Sequence, residues 1–195
     1  MRKLTLLAVI CGLFFLASFA QAQQGDAMFG FGTLMSPGSC NADTGVCPEK
    51  GGLYTNFSAD VIFHKRIGFG FDTIWKTTQG SYDGQPFRPI LLDFNGMYSP
   101  RLGKKLALDL MGGVGLQSTR FYLPYCTNEF TCNNFTSSHH FLIDVGGGLR
   151  YYVWHHAFIR PEVHYYNILN NTNEFNSNSV IHVGASIGYT IGGPD

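Results

Sequence analysis

Apolar and polar side chains alternate along most of the chain with a period of two residues, which is the pattern of β-strands with two different faces. In the segment 141–153, Phe141, Ile143 and Val145 share one face, while Asp144 and Arg150 share the other. The segments 67–76, 106–117 and 181–190 alternate in the same way. Extended over the chain, the pattern predicts eight strands, at 27–36, 51–64, 67–78, 87–99, 105–120, 138–153, 157–169 and 178–191.

The connections between these strands alternate in length, and this predicts how the strands are joined. Long or moderate connections cover 37–50, 79–86, 121–137 and 170–177, and short ones cover 65–66, 100–104 and 154–156. Antiparallel strands connected in this way form a meander with long loops at one end and tight turns at the other. The predicted fold class is all-β, an eight-stranded antiparallel up-and-down barrel.

The first 22 residues have the features of a secretory signal peptide. Arg2 and Lys3 precede a largely apolar run from Leu4 to Phe19, and Ala20-Gln21-Ala22 matches a small-x-small cleavage site. We predict a signal peptide at 1–22 and a single barrel domain at 23–195; the alternative is an N-terminal membrane anchor. The mature chain would carry 11 basic and 13 acidic residues, a net charge of about −2.

The composition excludes some classes of protein and favours one kind of barrel. Only 13% of the residues are charged and 15% are aromatic, which argues against disorder, and no basic excess is available for nucleic acid. Ten of the 24 glycines lie on the polar face of the predicted strands. A soluble surface would carry Thr or Lys there, whereas a narrow barrel interior needs small residues. The bulky apolar face is therefore predicted to contact lipid; the alternative is a secreted, soluble, lipocalin-like barrel that binds a ligand.

The alternating strands and connections resemble a known family. Between residues 26 and 192 the chain is similar to the small outer-membrane β-barrels of the OmpA/OmpX-like, eight-stranded kind, which have short periplasmic turns, long extracellular loops and aromatic girdles. The resemblance implies a transmembrane β-barrel in the bacterial outer membrane. The aromatic residues near the strand ends are Trp75, Phe87, Tyr98, Phe121, Tyr122, Tyr151, Trp154, Tyr165, Tyr166 and Tyr189. Such barrels usually end on an aromatic assembly signal; here Tyr189 and Ile191 are candidates for a displaced version of it.

Four cysteines follow the signal peptide: Cys40, Cys47, Cys126 and Cys132. An exported chain meets an oxidising compartment, and four cysteines allow three pairings. The residues between the members of each local pair are polar and loop-like, which favours the disulfides Cys40–Cys47 and Cys126–Cys132. A zinc site is the alternative, but the chain lacks the CxxC spacing typical of such sites.

The inward face of the predicted barrel carries a network of charged and polar side chains. Its members are Asp60, Asp72, Lys76, Asp93, Asp109, Asp144, Arg150, Arg160, Glu162, His164 and His182. Acids outnumber bases, so we expect some carboxylates to share protons or to have raised pKa values. The network is either a path for protons or ions, or a polar plug that fixes strand register. Eight strands leave room only for side chains, which favours the plug.

Three histidines on the inward face, His64, His164 and His182, raise the question of catalysis. With a neighbouring carboxylate and Ser186, a nucleophilic triad or a metal site can be drawn. Any polar barrel interior supplies such groups, so the interpretation we favour is a hydrogen-bonded interior histidine. Barrel-type lipid A deacylases carry His-x-Ser near the membrane face, whereas residues 164–167 read His-Tyr-Tyr-Asn. Their activity is therefore not inferred.

The sequence predicts an integral outer-membrane barrel with a structural or surface-contact role, without a catalytic site, metal or cofactor. The expected partners are outer-membrane lipid and a surface protein or glycan, which would be contacted through the loops 37–50 and 121–137. Nucleic acid is not an expected partner, and the barrel is predicted to be a monomer. A secreted ligand-binding barrel and a lipid A-modifying enzyme remain as alternatives.

Overall fold

The structure is a computed structural model that describes residues 24–36, 38–40, 47, 49–63, 66–82, 84–122, 125–128 and 131–192. The elements within these residues are β1 (Gln24–Met35), β2 (Tyr54–Phe63), β3 (Ile67–Lys76), β4 (Gly80–Tyr82), β5 (Gln85–Tyr98), β6 (Leu106–Phe121), β7 (Tyr125–Asn128), β8 (Thr131–Asn133), β9 (Thr136–Trp154), β10 (Ala157–Ile168), the helix α1 (Thr172–Phe175) and β11 (Ser179–Gly192). The predicted signal peptide and His64 lie outside the described residues.

Eight of the strands form a closed antiparallel barrel. Its order is β1-β2-β3-β5-β6-β9-β10-β11, and pairing of β11 with β1 completes the ring. Each strand pairs with its neighbours along the chain, so the predicted up-and-down topology is confirmed. We call the end with the connections 36–53, 77–84, 122–135 and 169–178 the loop end. The opposite end, with the connections 64–66, 99–105 and 155–156, is called the turn end.

The structure also contains elements that the alternation did not predict. β4 extends the connection between β3 and β5, and β7 and β8 form a separate two-stranded hairpin at the loop end. These strands are only three or four residues long, which is too short for a period of two to stand out. β1 begins at Gln24 rather than at residue 27. Among the described residues, no helix is long and apolar enough to cross a membrane.

The two faces of the barrel strands differ sharply in polarity. Phe69, Val145 and Ile187 on the outer face are 66%, 62% and 69% exposed, and a water-soluble surface would not present such a continuous apolar belt. The inner face carries the glycines and the charged residues, as a membrane barrel requires. Two of the aromatic residues near the strand ends, Phe87 and Tyr166, turn inward and are fully buried.

The interior is filled in layers along the barrel axis. An apolar layer closes the loop end: Leu34, Tyr54, Ile74, Leu91, Leu142, Tyr166, Ile168 and Val180. Two smaller apolar clusters lie towards the turn end: Met28, Tyr152 and Phe158, and Ile62, Met97 and Met111. The buried charged side chains alternate with these apolar groups along the axis: Asp26 and Asp109 lie two residues nearer the turn end than Met28 and Met111, and Lys76 lies at the loop end.

Candidate functional site

All eleven residues of the predicted inward network point into the barrel and are at most 8% exposed. Their contacts divide them into groups at different heights. The arginine cluster, nearer the turn end, consists of Arg150, Arg160, Asp26, Asp60, Asp72, Asp109 and Glu162. The histidine cluster, nearer the loop end, consists of His164, His182, Asp93, Asn95 and Asp144.

Arg150 on β9 connects four strands through its guanidinium group. It donates to Asp109 on β6 at 3.0 and 3.2 Å, to Asp60 on β2 at 3.3 Å, and to Asp26 on β1. Its guanidinium carbon also lies 4.6 Å from the centre of the Phe158 ring. The side chain is completely buried, so these carboxylates take the place of water around the charge.

Arg160 on β10 makes the second set of contacts in the arginine cluster. Its Nε donates to Glu162 at 2.7 Å and its Nη1 donates to Asp60 at 3.0 Å, while Nη2 lies 3.6 Å from Asp72. Asp60 thus accepts from both arginines. The two arginines and five carboxylates of the cluster thus join six of the eight barrel strands, β1, β2, β3, β6, β9 and β10.

In the histidine cluster, the register of β10 and β11 places His164 directly opposite His182. The ring centres are 6.2 Å apart. His164 Nδ1 lies 3.1 Å from an oxygen of Asp144, and its ring stacks on Tyr166 at 5.8 Å. Neither ring nitrogen of His182 has a hydrogen-bond partner among the described residues. His164 is therefore held by a carboxylate, whereas His182 is held by packing alone.

Glycines on the neighbouring strands make room for both imidazole rings. A Cβ at Gly146 would lie 2.5 Å from His164 Nδ1, and a Cβ at Gly32 would overlap the ring of His182. Real Cβ atoms do not approach other atoms this closely. At Gly32 and Gly146 the absence of a side chain therefore allows a larger side chain to cross the narrow interior, as the sequence suggested.

The contacts of Ser186 decide the question of a nucleophilic triad. Its hydroxyl donates to Glu162 at 2.9 Å, and Asn56 donates to the hydroxyl at 3.2 Å. No hydrogen bond joins it to His164 or His182 among the described residues. A triad requires the nucleophile to contact its base, and the arrangement lacks this contact. The apolar layer at the loop end also covers both histidines.

Metal binding was the other chemistry considered for the interior. Within the described ranges, no group of three or more histidine, cysteine, aspartate or glutamate side chains is arranged to hold a metal ion. The carboxylates of the arginine cluster are directed towards guanidinium groups instead.

Glu49 closes the loop end above the apolar layer. It lies in the connection between β1 and β2 and is 1% exposed. Gln117 donates to one of its oxygens at 3.1 Å, and Asn171 donates to the other at 2.9 Å. Burial raises the pKa of Glu49 to about 7, although these hydrogen bonds and the charge of Lys76 act to lower it. The carboxyl is therefore held in a position where its charged form is poorly solvated.

Aromatic side chains surround the same part of the loop end. The Lys76 ammonium lies 5.1 Å from the ring centre of Phe87 and 5.7 Å from that of Tyr54. Phe87 packs against Phe175 of α1 at 5.5 Å, and Phe121 lies 6.1 Å from Phe175. These contacts attach α1 to the barrel and leave the mouth closed by side chains.

One of the two predicted disulfides is present. Cys40 and Cys47 are bonded, which closes a short ring at the tip of the first loop. In the hairpin β7–β8 the backbone positions of Cys126 and Cys132 face each other, and a disulfide can join cysteines that face each other in this way. Their side chains lie outside the described part of the structure, so this second disulfide stays a prediction.

Sequence reasoning missed two buried acids, for different reasons. Asp26 has the inward parity, and moving the start of β1 from residue 27 to Gln24 would have found it. Its carboxylate accepts from Gln24, Thr190 and Arg150. Glu49 lies in a loop and has no periodic signal, because its burial depends on long-range contacts with Gln117 and Asn171.

Comparison with known proteins shows similarity of structure without similarity of sequence. No protein-family model matches the chain, and no curated protein has a similar sequence. Solved structures do match. Ail, the attachment invasion locus protein of Yersinia pestis, is 12% identical with a TM-score of 0.56, and the alignment covers 87% of this chain and 99% of Ail.

Two further solved structures agree with this result. Neisserial surface protein A is 14% identical with a TM-score of 0.59, over 85% of this chain and 95% of that protein. The N-terminal β-barrel domain of Pseudomonas aeruginosa OprF is 13% identical with a TM-score of 0.53, over 88% and 100%. The chain therefore has the fold of a small outer-membrane β-barrel.

Proposed function

We propose that residues 1–22 direct export of this chain, that the barrel inserts into the bacterial outer membrane, and that it contacts an anionic glycan at the cell surface through its loop end. The observation that carries the proposal is the filled interior. Among the described residues, buried charged side chains and three apolar clusters fill it. Because side chains occupy this space, we expect the barrel to contact its surface partner through the loops. We expect it to act as a monomer and without catalysis.

The first loop supports a binding role because it is fixed to the barrel. The Cys40–Cys47 disulfide closes its tip, and Glu49 is held by Gln117 and Asn171. The amide of Gly51 also donates to the carbonyl of Leu34 at 2.8 Å. These contacts fix the described residues of the first loop, and residues that are already fixed lose little conformational entropy when they bind a partner. The loop 121–137 is ordered in part by the hairpin β7–β8.

The charge at the base of the loop 121–137 favours an anionic partner. Arg88 on β5 and Arg120 on β6 are directly opposite each other in the barrel wall, and like charges in such a pair repel. The Arg120 guanidinium lies 5.3 Å from the ring centre of Phe135. Arg88 Nη2 donates to the carbonyl of Thr77 at 3.4 Å, and the buried Nε of Arg88 has no hydrogen-bond partner among the described residues. A sulfate or phosphate between the two guanidinium groups would offset the repulsion, since arginine matches the geometry of such groups.

One structural neighbour makes a glycan a reasonable partner class. Ail has been crystallised in complex with the heparin analogue sucrose octasulfate. That complex concerns Ail alone, at 13% identity, but it gives a probe for this barrel. The test is calorimetric titration of the refolded full chain in detergent with sucrose octasulfate. We expect binding that weakens with added salt.

Two variants make the test specific. Arg88→Gln with Arg120→Gln should remove most of the binding, because both guanidinium groups of the pair are lost. Arg101→Gln with Lys104→Gln removes two charges at the turn end and should leave the affinity unchanged. Equal affinities for the two double variants, or no binding by the unmodified chain, would contradict the proposed partner class.

A further inference from the structure

A cavity of about 440 Å³ lies at the turn end of the barrel, outside the filled interior. It is lined by the connection 99–105 and by the tight turn between β9 and β10. The side chains that give it its character are Arg101, Lys104, Lys105, Trp154, His155 and His156. None of them takes part in the arginine cluster, the histidine cluster or the loop end.

The two connections that form the cavity are ordered by backbone hydrogen bonds. The amide of Leu102 donates to the carbonyl of Leu106 at 2.8 Å, and the amide of Tyr152 donates to the carbonyl of Lys105 at 2.9 Å. In the second connection, the carbonyl of His156 accepts from the amide of Thr190 at 2.8 Å. The Arg101 guanidinium lies 5.6 Å from the ring centre of Tyr152. The cationic side chains are therefore attached to fixed backbone positions.

The charge of the cavity has one sign. Arg101, Lys104 and Lys105 are basic, and none of the described lining residues is acidic. Asp26, which accepts a hydrogen bond from the lining residue Thr190 at 2.6 Å, and Asp109, which accepts one from Ser99 at 2.6 Å, both form ion pairs with the buried Arg150. The cavity thus presents three cations with no carboxylate among the described lining residues to neutralise them.

The sequence shows that this charge belongs to a wider asymmetry between the two ends of the barrel. The connections at the turn end, 64–66, 99–105 and 155–156, contain basic residues and histidines but no Asp or Glu. The connections at the loop end contain five acids, Asp43, Glu49, Asp83, Glu129 and Glu174. The chain has no net charge as a whole. The positive charge of the turn end therefore reflects where the basic and acidic residues lie along the chain, and not an excess of basic residues.

The cavity also borders the lipid-facing surface. Trp154 on its wall is 73% exposed, and Leu102 and Ile191 nearby are 58% and 69% exposed. Exposed tryptophan at the end of a membrane strand is typical of the headgroup level of a bilayer. A ligand in this cavity would therefore have its charged part among the cations and its apolar part along the barrel wall.

We propose that this cavity binds the phosphate headgroup of an anionic phospholipid in the leaflet that surrounds the turn end. The Arg101 guanidinium and the two lysine ammonium groups donate to the phosphate oxygens, and the indole of Trp154 lies at the level of the glycerol backbone. The lipid site rests on the proposed membrane insertion but not on the glycan contact of the loop end. Either the lipid site or the glycan contact can therefore be contradicted without the other.

The experiment uses Trp154 as a reporter. The chain has two tryptophans, and the other, Trp75, lies on β3 near the loop end, so Trp75→Phe leaves a single indole beside the cavity. The full chain with this substitution is placed in nanodiscs that contain the same mole fraction of brominated phosphatidylglycerol or brominated phosphatidylcholine. We expect stronger quenching of Trp154 by the anionic lipid, and a smaller difference at high salt.

A matched pair of variants tests the role of the cations. Arg101→Gln, Lys104→Gln and Lys105→Gln together should remove the preference, with a loss of roughly fivefold in relative lipid affinity for each cation near the membrane surface. Lys50→Gln, Arg88→Gln and Arg120→Gln remove three cations at the loop end and should leave the preference intact. All six side chains lie in connections or on the outer face, so we expect both triple variants to fold, and a change of gel mobility on boiling checks this.

Several results would overturn the proposal. One is equal quenching of Trp154 by the two brominated lipids when the cavity carries all three cations. Another is a preference for the anionic lipid that remains after Arg101, Lys104 and Lys105 have been replaced. If millimolar glycerol phosphate removes the preference, the site takes a soluble phosphate and not a lipid. If the turn-end cations are needed for sedimentation with purified cell wall while quenching shows no lipid preference, the ligand is an anionic cell-wall polymer.

Discussion

Replacing the buried Glu49 with glutamine measures how the loop end is closed. Glu49 is 1% exposed and its pKa is raised from 4.5 to about 7, mainly by burial. The folded state therefore holds the proton more tightly than the unfolded chain does. The unmodified barrel loses stability as pH rises from about 4.5, and the loss levels off above about 7, where the carboxyl ionises in the folded state as well.

The size of this loss follows from the pKa change. One pKa unit corresponds to about 1.36 kcal/mol, so a rise from 4.5 to about 7 gives roughly 3 kcal/mol between pH 4 and pH 8. The glutamine side chain in the Glu49→Gln variant cannot ionise, so the variant should lack this part of the pH dependence. The free energy of unfolding of the variant, relative to the unmodified chain, should increase by roughly 3 kcal/mol over this pH range.

The assay is equilibrium unfolding in guanidinium with lipid vesicles, followed by tryptophan fluorescence at several pH values. At each pH, the free energy of unfolding of the unmodified chain is subtracted from that of the variant. This subtraction removes the contribution of groups that titrate in both chains. Glu174→Gln is the comparison variant: its side chain is 21% exposed and forms an ion pair with His140 at 3.4 Å. Its charge raises the pKa of Glu49 less than burial does, so this variant should keep most of the pH dependence. Parallel pH curves for the unmodified chain and Glu49→Gln would refute the burial of a proton-binding carboxyl at the loop end.

Three further predictions test the wall, the interior and the first loop. Val145→Arg places a charge at the middle of the lipid-facing surface of β9 and should lower the free energy of unfolding in vesicles by about 2–4 kcal/mol; no loss would mean that this face does not contact lipid. Arg150→Leu leaves buried carboxylates uncompensated and should cost about 3–5 kcal/mol by guanidinium unfolding, and a neutral effect would contradict the contacts with three aspartates. Cys40→Ser with Cys47→Ser should cost about 2 kcal/mol at most and speed proteolysis of the first loop, while the barrel keeps its mobility change on boiling; unchanged proteolysis would show that the disulfide does not order the loop.

The sequence predicted the barrel well because its strands alternate strictly between two environments. From Leu142 to Tyr152, a one-residue change of register would place Asp144 and Arg150 in lipid, so the sequence and the closed barrel allow only one inward face. The long and short connections then determine the topology. The same alternation placed His164 and His182 on the inward face, and the register of β10 and β11 then pairs them directly.

Contacts that depend on exact register or on loop conformation could not be predicted. The opposition of Arg88 and Arg120 follows from the register of β5 and β6, which the alternation alone does not determine. The burial of Glu49 depends on Gln117 and Asn171, which are 68 and 122 residues away along the chain. The cavity at the turn end forms where the connections 99–105 and 155–156, which are far apart in sequence, come together. The sequence shows the basic residues of these connections but not that they meet.

The central claim is that the bulky apolar face of this barrel contacts the outer-membrane lipid. Fractionation of a Gram-negative host that expresses the full chain tests it most directly, with unheated and boiled samples compared on a detergent gel. We predict that the protein remains with the outer membrane and that boiling changes its mobility. Recovery in the soluble periplasm or the medium, with the same mobility before and after boiling, would contradict the claim.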